Sequence, residues 1–112
     1  MLPKPQRLNL KKDFKWVASG KKLETKLLKL FVRTGNNKIP LVGIATSGRV
    51  FQKSSQRNRA RRLVSAAFEI LYPSLPNQVN IIALPKLGVT SVKSSDVLSD
   101  LERVLRNEEI IN

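Results

Sequence analysis

Lys53-Ser54-Ser55-Gln56-Arg57-Asn58-Arg59-Ala60-Arg61-Arg62 runs straight into Leu63-Val64-Ser65-Ala66-Ala67-Phe68-Glu69-Ile70-Leu71, and the whole reads as one helix with two characters. Ser54 or Ser55 serves as its N-cap, and Tyr72-Pro73 ends it, because the residue before a proline is pushed away from helical backbone angles. Leu63, Val64, Ala67, Phe68, Ile70 and Leu71 make the apolar stripe, which sets the last three turns against a sheet and leaves the first two outside the core.

Strand-like segments flank this helix. Upstream, residues 26 to 33 are aliphatic with Phe31 and Val32, Gly35-Asn36-Asn37 is turn-forming, and residues 39 to 46 resume β-prone residues, which predicts an antiparallel hairpin. Downstream, residues 79 to 84 are almost continuously apolar, the signature of a central strand. Ser94-Ser95-Asp96 then caps a helix with Val97, Leu98, Leu101, Val104 and Leu105 on one face. Near the start, Leu10, Phe14 and Val17 fall at helical spacing between an Asn9 cap and a Gly20 stop. The order helix, strand, strand, helix, strand, helix implies an α+β fold, a two-layer α-β sandwich with helices packed on one small, mainly antiparallel sheet. No repeat or linker divides the chain, so residues 1 to 112 are expected to form a single domain. Pro3 and Pro5 hold residues 1 to 8 as an extended arm, and residues 107 to 112 are expected to be a frayed acidic tail.

Charge supplies the partner class. Of the 112 residues, 21 are Lys or Arg and 8 are Asp or Glu, a formal charge of +13. Residues 1 to 95 carry 19 of the basic side chains against Asp13, Glu24 and Glu69, whereas residues 96 to 112 carry Arg103 and Arg106 against five acids. Such uncompensated charge repels itself in a compact fold, and a polyanion relieves it while releasing its own counterions. An anionic membrane is disfavoured, because that would want a basic helix with bulky apolar anchors on its other face. Lys11, Lys12 and Lys15 near Phe14 and Trp16 are only a weak version of one. The opening is too polar for a signal sequence and no apolar run is long enough to span a bilayer, so a cytoplasmic protein is expected.

Chemistry of its own is poorly provided for. The absence of Cys and His removes thiolate nucleophiles, Cys-based zinc sites, and the usual general base near neutral pH. Asp96 and Asp100 are four apart, but Asp96 sits in the first turn of its helix, where complementing the dipole accounts for it. Gly43 to Gly48 lacks the Lys-Ser/Thr of a phosphate-binding loop. No catalytic and no metal-ligating residue is assigned. The binding candidates are Lys53, Arg57, Asn58, Arg59, Arg61 and Arg62: on a helix, Lys53, Arg57 and Arg61 repeat every four residues and Arg59 and Arg62 lie three apart, giving a broad cationic face for several phosphates. Arginine suits this task through its planar fork. A solvated face would interleave Glu with Lys, yet no acid stands between Glu24 and Glu69. Phe14 and Phe31, with Lys15 and Lys29 among their basic neighbours, have the composition of a platform for unpaired bases. Filling the core would explain both rings equally well.

Arg57-Asn58-Arg59-Ala60-Arg61-Arg62 resembles the RNR motif of the bacterial ribonuclease P protein subunit. Arg7-Leu8, Asp13-Phe14, Gly20, the strands around Phe31 and Val42-Gly43-Ile44, the helix running on to Phe68, and Val79-Asn80-Ile81-Ile82-Ala83-Leu84-Pro85 recur in that family's order, over about residues 3 to 106. The resemblance implies a left-handed strand-helix-strand crossover, against the general preference. It further implies a protein that supports endonucleolytic removal of the 5′ leader of precursor tRNA, while a catalytic RNA subunit does the cutting with Mg²⁺ bound mainly by that RNA. Its partners are then the ribonuclease P RNA subunit and precursor tRNA, with no membrane and no obligate protein partner. The RNR helix contacts the RNA, and Phe14 and Phe31 match aromatic positions of a leader cleft. Ala18 stands where a second aromatic is common and Ser65 where a basic residue is common; Trp16 is a substitute candidate for the missing ring. The alternative is a non-catalytic basic RNA-binding protein of ribosomal or chaperone type. A self-sufficient nuclease is disfavoured for want of clustered acids or a histidine.

Overall fold

The computed structural model describes residues 2 to 111. In chain order the elements are α1 (Leu10–Ala18), β1 (Lys21–Glu24), β2 (Leu28–Thr34), β3 (Leu41–Ile44), α2 (Ser54–Leu71), β4 (Val79–Pro85) and α3 (Ser94–Asn107). The strands form one mixed sheet in the order β1-β2-β4-β3, with β1–β2 and β2–β4 antiparallel and β3–β4 parallel.

The expected hairpin of residues 26 to 33 with residues 39 to 46 does not form. Both strands exist and run in opposite directions, but β4 is inserted between them. β4 is apolar on both faces, with Val79 through Ala83 buried without interruption, and such a strand is stable only with neighbours on both edges and cover on both sides. The loop after β2 therefore arches over the start of β4. Gly35 N–H donates to the Gln78 carbonyl (2.9 Å), and the Asn37 amide donates to the carbonyls of Ile39 (2.7 Å) and Val79 (3.2 Å). The buried Asn80 amide completes the lock by donating to Asn37 Oδ1 (2.9 Å) and the Arg33 carbonyl (3.2 Å). β2 instead makes its hairpin with β1, through Thr25-Lys26-Leu27. There Thr25 Oγ1 accepts from the N–H groups of Leu27 (3.2 Å) and Leu28 (2.9 Å), a side-chain-directed turn with no Gly or Pro to announce it.

Strand alternation divides the sheet into two faces. Leu28, Leu30 and Val32 of β2, Val79, Ile81 and Ala83 of β4, and Val42 of β3 meet α2 and α3 in the main core, where Phe68, Val64, Leu101 and Leu105 are fully buried. Phe51, from the loop before α2, is fully buried there too. Each such side chain contributes roughly 1.5 to 3 kcal/mol on leaving water. Ile70, read into the apolar stripe of α2, is 64% exposed, because it projects from the side of the helix turned away from both sheet and α3. The other face carries α1: Leu8, Val17 and Ile82 are buried, and Leu10, Phe14, Phe31, Leu41 and Leu84 pack partly buried against them.

Both chain ends are more ordered than their sequence suggests. Lys4–Gln6 is a 3₁₀ turn, Leu2 and Leu8 are buried, and Arg7 bridges Val42 at the outer edge of β3, so the arm has become an edge cover. At the other end the frayed tail is replaced by a Schellman cap. Ile110 N–H donates to the Leu105 carbonyl (2.9 Å) and Glu109 N–H to the Arg106 carbonyl (3.0 Å), with Glu109 at φ 59° and Ile111 buried. Residue 112, the last of that segment, lies outside the described residues. Tyr72, which follows α2, donates its hydroxyl to the Pro40 carbonyl (2.6 Å), and burial raises its pKa.

Candidate nucleic-acid interface

The basic half of α2 begins where Gln56 Oε1 accepts from the Lys53 N–H (3.4 Å), half of a capping box, so Lys53 and not a serine occupies the N-cap position. Its arginines then divide by what they hold. Arg57 Nη1 donates to the Phe51 carbonyl (2.7 Å) and the Gln52 carbonyl (3.4 Å), clamping the loop whose Phe51 ring enters the core. Arg61 donates to Thr46 Oγ1 (3.0 Å) and Asn58 Oδ1 (3.2 Å), and Arg59 Nε reaches the Thr90 carbonyl (3.1 Å). Lys53 and Arg62 are exposed, with no ion pair to another described residue. Every anchored arginine retains further N–H groups, so Arg57, Arg59 and Arg61 form a pre-oriented row of cations within the face.

Phe14 and Phe31 meet across the α1 face of the sheet. Their ring centroids are 6.5 Å apart with planes at 68°, an edge-on pair, and both rings are only partly buried. Phe31 stands opposite Lys22 on β1 and Ile82 on β4, and one step along the same face Lys29 stands opposite Leu84. Beyond them a groove of about 570 Å³ opens, walled by Ala45, Ser47, Arg49 and Val50 of the loop before α2 and by Leu84, Lys86 and Leu87. Val50, Leu84 and Leu87 give it apolar surface, Lys29, Arg49 and Lys86 set three cations around it against one acid, Glu24, and the loop forming one wall is the one Arg57 and Arg61 hold. The groove and the cationic helix face are thus two sides of one loop. Lys15 is exposed on α1 beside Phe14.

Arg49, Lys86 and Leu84 join this site unannounced. Arg49 follows a turn-forming Ser47-Gly48, Lys86 lies just past a strand, and only the β4 insertion brings both to Lys29. Lys86 also pairs with Glu24 (2.7 Å), and that hydrogen bond and charge lower the Glu24 pKa. Trp16 is not in the groove: it packs at the opposite end of β2, against Arg33 and Gly35. Asp96 accepts from the Lys93 N–H (3.0 Å), and Asp100 pairs with Arg103 (2.7 Å) and reaches Leu27 N–H (3.4 Å), so both carboxylates are tied to local structure. Among the described residues no three acidic side chains converge as metal ligands, and no helix is long and apolar enough to cross a membrane.

Comparison with known proteins agrees over nearly the full chain. The ribonuclease P family model matches residues 2 to 109. A ribonuclease P protein component of Nitrosococcus oceani is 29% identical over 92 residues, covering 81% of this chain and 76% of that protein. One of Rippkaea orientalis is 28% identical and covers 98% of this chain and 91% of its own. Among solved structures, the RNase P protein of Staphylococcus aureus superposes with a TM-score of 0.80 at 16% identity, covering 96% of this chain and 98% of that one. The RNase P protein of Thermotoga maritima gives 0.78 at 23% identity, with 90% and 96% covered, and these two likenesses establish the fold.

Proposed function

The chain belongs to the ribonuclease P protein family and is a protein component of that tRNA-processing endoribonuclease, and we propose that it works by holding two RNAs at once. In this reading the cationic face of α2, with Lys53, Arg57, Asn58, Arg59, Arg61 and Arg62, docks on the phosphates of the catalytic RNA subunit. The open face carrying Phe14, Phe31 and Lys29, with Lys15 next to Phe14 on α1, takes the single-stranded 5′ leader of precursor tRNA together with the adjoining groove. The observation that carries it is the partial exposure of the Phe14–Phe31 pair above a groove rimmed by Lys29, Arg49 and Lys86. Unpaired bases stack on aromatic rings at roughly 1 to 3 kcal/mol each, and cations along a groove track the backbone whatever its sequence.

No proton transfer or nucleophilic step is assigned to this chain. The Mg²⁺ that supports phosphodiester hydrolysis is assigned to the RNA partner. The protein contributes charge neutralisation and position: each phosphate it contacts releases counterions, and each stacked leader base fixes the precursor relative to the scissile bond. The setting is taken as the cytoplasm, where precursor tRNA and the RNA subunit meet.

Purified protein should be incubated with precursor tRNA, alone and with a bacterial ribonuclease P RNA at low Mg²⁺. The expected result is no cleavage by the protein alone and leader removal at a single site when both are present. RNA binding without any stimulation of cleavage would favour the ribosomal or chaperone-like reading, and cleavage by the protein alone would favour a nuclease.

A further inference from the structure

Trp16 is the only tryptophan of the chain, and it is 40% exposed. It is not loosely placed. The Arg33 guanidinium carbon lies 4.6 Å from the ring centroid, and Arg33 Nη1 donates to the Trp16 carbonyl (3.0 Å) and to Ser19 Oγ (2.5 Å), so the cation is fixed over the indole by the end of α1. On the other side the turn after β2 is cut away for the ring. A Cβ on Gly35 would lie 2.8 Å from Trp16 Cη2, so the indole edge occupies the space that glycine leaves.

Two residues along a helix turn through about 200°, so Phe14 and Trp16 project from opposite flanks of α1. On β2 their partners, Phe31 and Arg33, are two apart and share a face. The single helix α1 thus presents one aromatic to the leader groove and a second, stacked on an arginine, to the opposite side. Lys12 lies one turn before Trp16 on the same flank, and Asp13 is the one acid within a turn. A large, rigid ring, half open to solvent, backed by an immobilised guanidinium and with Lys12 one turn away, has the composition of a base-stacking site. Burial against the protein alone would not call for a tryptophan left at this exposure.

We infer that Trp16 and Arg33 form a second stacking site for an unpaired RNA base, on the flank of α1 opposite the leader groove. The inference rests on the reading of the chain as an RNA-holding subunit, and it adds a contact outside the groove described above. It places an unpaired segment of the bound RNA against both sides of one short helix.

The single tryptophan makes the test direct. The full chain is titrated with a labelled single-stranded oligopyrimidine RNA, following the anisotropy of the label and the emission of Trp16 together. The site predicts that Trp16 emission is quenched along the same curve as anisotropy rises, that Trp16→Ala weakens binding roughly 5- to 150-fold, and that Trp16→Phe, keeping a ring, retains most of the affinity. Phe31→Ala should shift the midpoint while leaving the extent of quenching unchanged. Binding with unaltered Trp16 emission, or a Trp16→Ala affinity within about twofold of native, overturns the second site and leaves the groove standing. Failure of the native chain to bind the oligonucleotide even at low salt overturns the groove and this site together. Because the emission is read on the native protein, a destabilised variant cannot mask the answer.

Discussion

The two faces of the sheet are built from the same strands and put to opposite uses. On the α2/α3 side every central residue is buried, and helices meet the strands along their length. On the α1 side one nine-residue helix covers part of the face, leaving Phe14, Phe31 and Leu84 half open beside Lys29. Alternation along β2 makes the contrast plain: Leu28, Leu30 and Val32 point into the core, whereas Lys29, Phe31 and Arg33 point to the open side. A strand of seven residues thus supplies both the stability of the fold and a wall of the proposed RNA site, and a one-residue slip in register would exchange the two.

Substitutions on the two faces should therefore fail differently. The largest effect is expected from Phe68→Ala in the closed face: about 3 to 5 kcal/mol of stability, read by chemical denaturation, with binding to every RNA declining together as folded protein is lost. A smaller and selective effect is expected on the cationic helix. Arg62→Gln, removing an exposed cation, should flatten the plot of log affinity for the RNA subunit against log salt by roughly 0.7 to 0.9 with little change in melting. Arg57→Gln should differ by also releasing the Phe51 and Gln52 carbonyls, lowering stability by about 1 to 3 kcal/mol. Asn58→Ala should weaken binding with the salt slope unaltered, since an amide displaces no counterion. The smallest effect is expected far from RNA. Glu109→Gly relieves a left-handed backbone angle at the end of α3 and should raise stability by about 1 kcal/mol, leaving all RNA affinities as they were.

Much of the closed face was legible in the sequence, and much of the open face was not. The stripe of α2 apart from Ile70, the Asn9 cap and the apolar run of β4 are local patterns, and each appears where the sequence put it; Ser94-Ser95-Asp96, read as the cap of α3, instead forms its first turn, with Lys93 at the N-cap and Asp96 accepting from the Lys93 N–H. Strand order is non-local. Gly35-Asn36-Asn37 does turn the chain, but it spans the start of β4 instead of joining neighbours, and nothing within residues 26 to 46 says that a strand from residue 79 will enter between them. β1 was missed because Lys21-Lys22-Leu23-Glu24 buries one side chain out of four, as an edge strand does. Of the open face and its groove, Phe14, Phe31 and Lys29 are nameable from aromatic and basic composition, while Arg49 and Lys86 require the topology. The tail was misjudged because its acids advertised solvent, whereas Ile110 and Ile111 close the helix end over the core.

The central claim is that the open face receives the leader, and the precursor-to-mature tRNA affinity ratio of the reconstituted holoenzyme tests it most directly. The measurement is that ratio for Phe31→Ala and Phe14→Ala, with the melting temperature of each isolated variant alongside. The account predicts that affinity for precursor tRNA falls roughly 5- to 150-fold while affinity for mature tRNA and assembly with the RNA subunit stay nearly unchanged. An unchanged ratio accompanied by a large drop in melting temperature would contradict it, and would make the two rings part of the core.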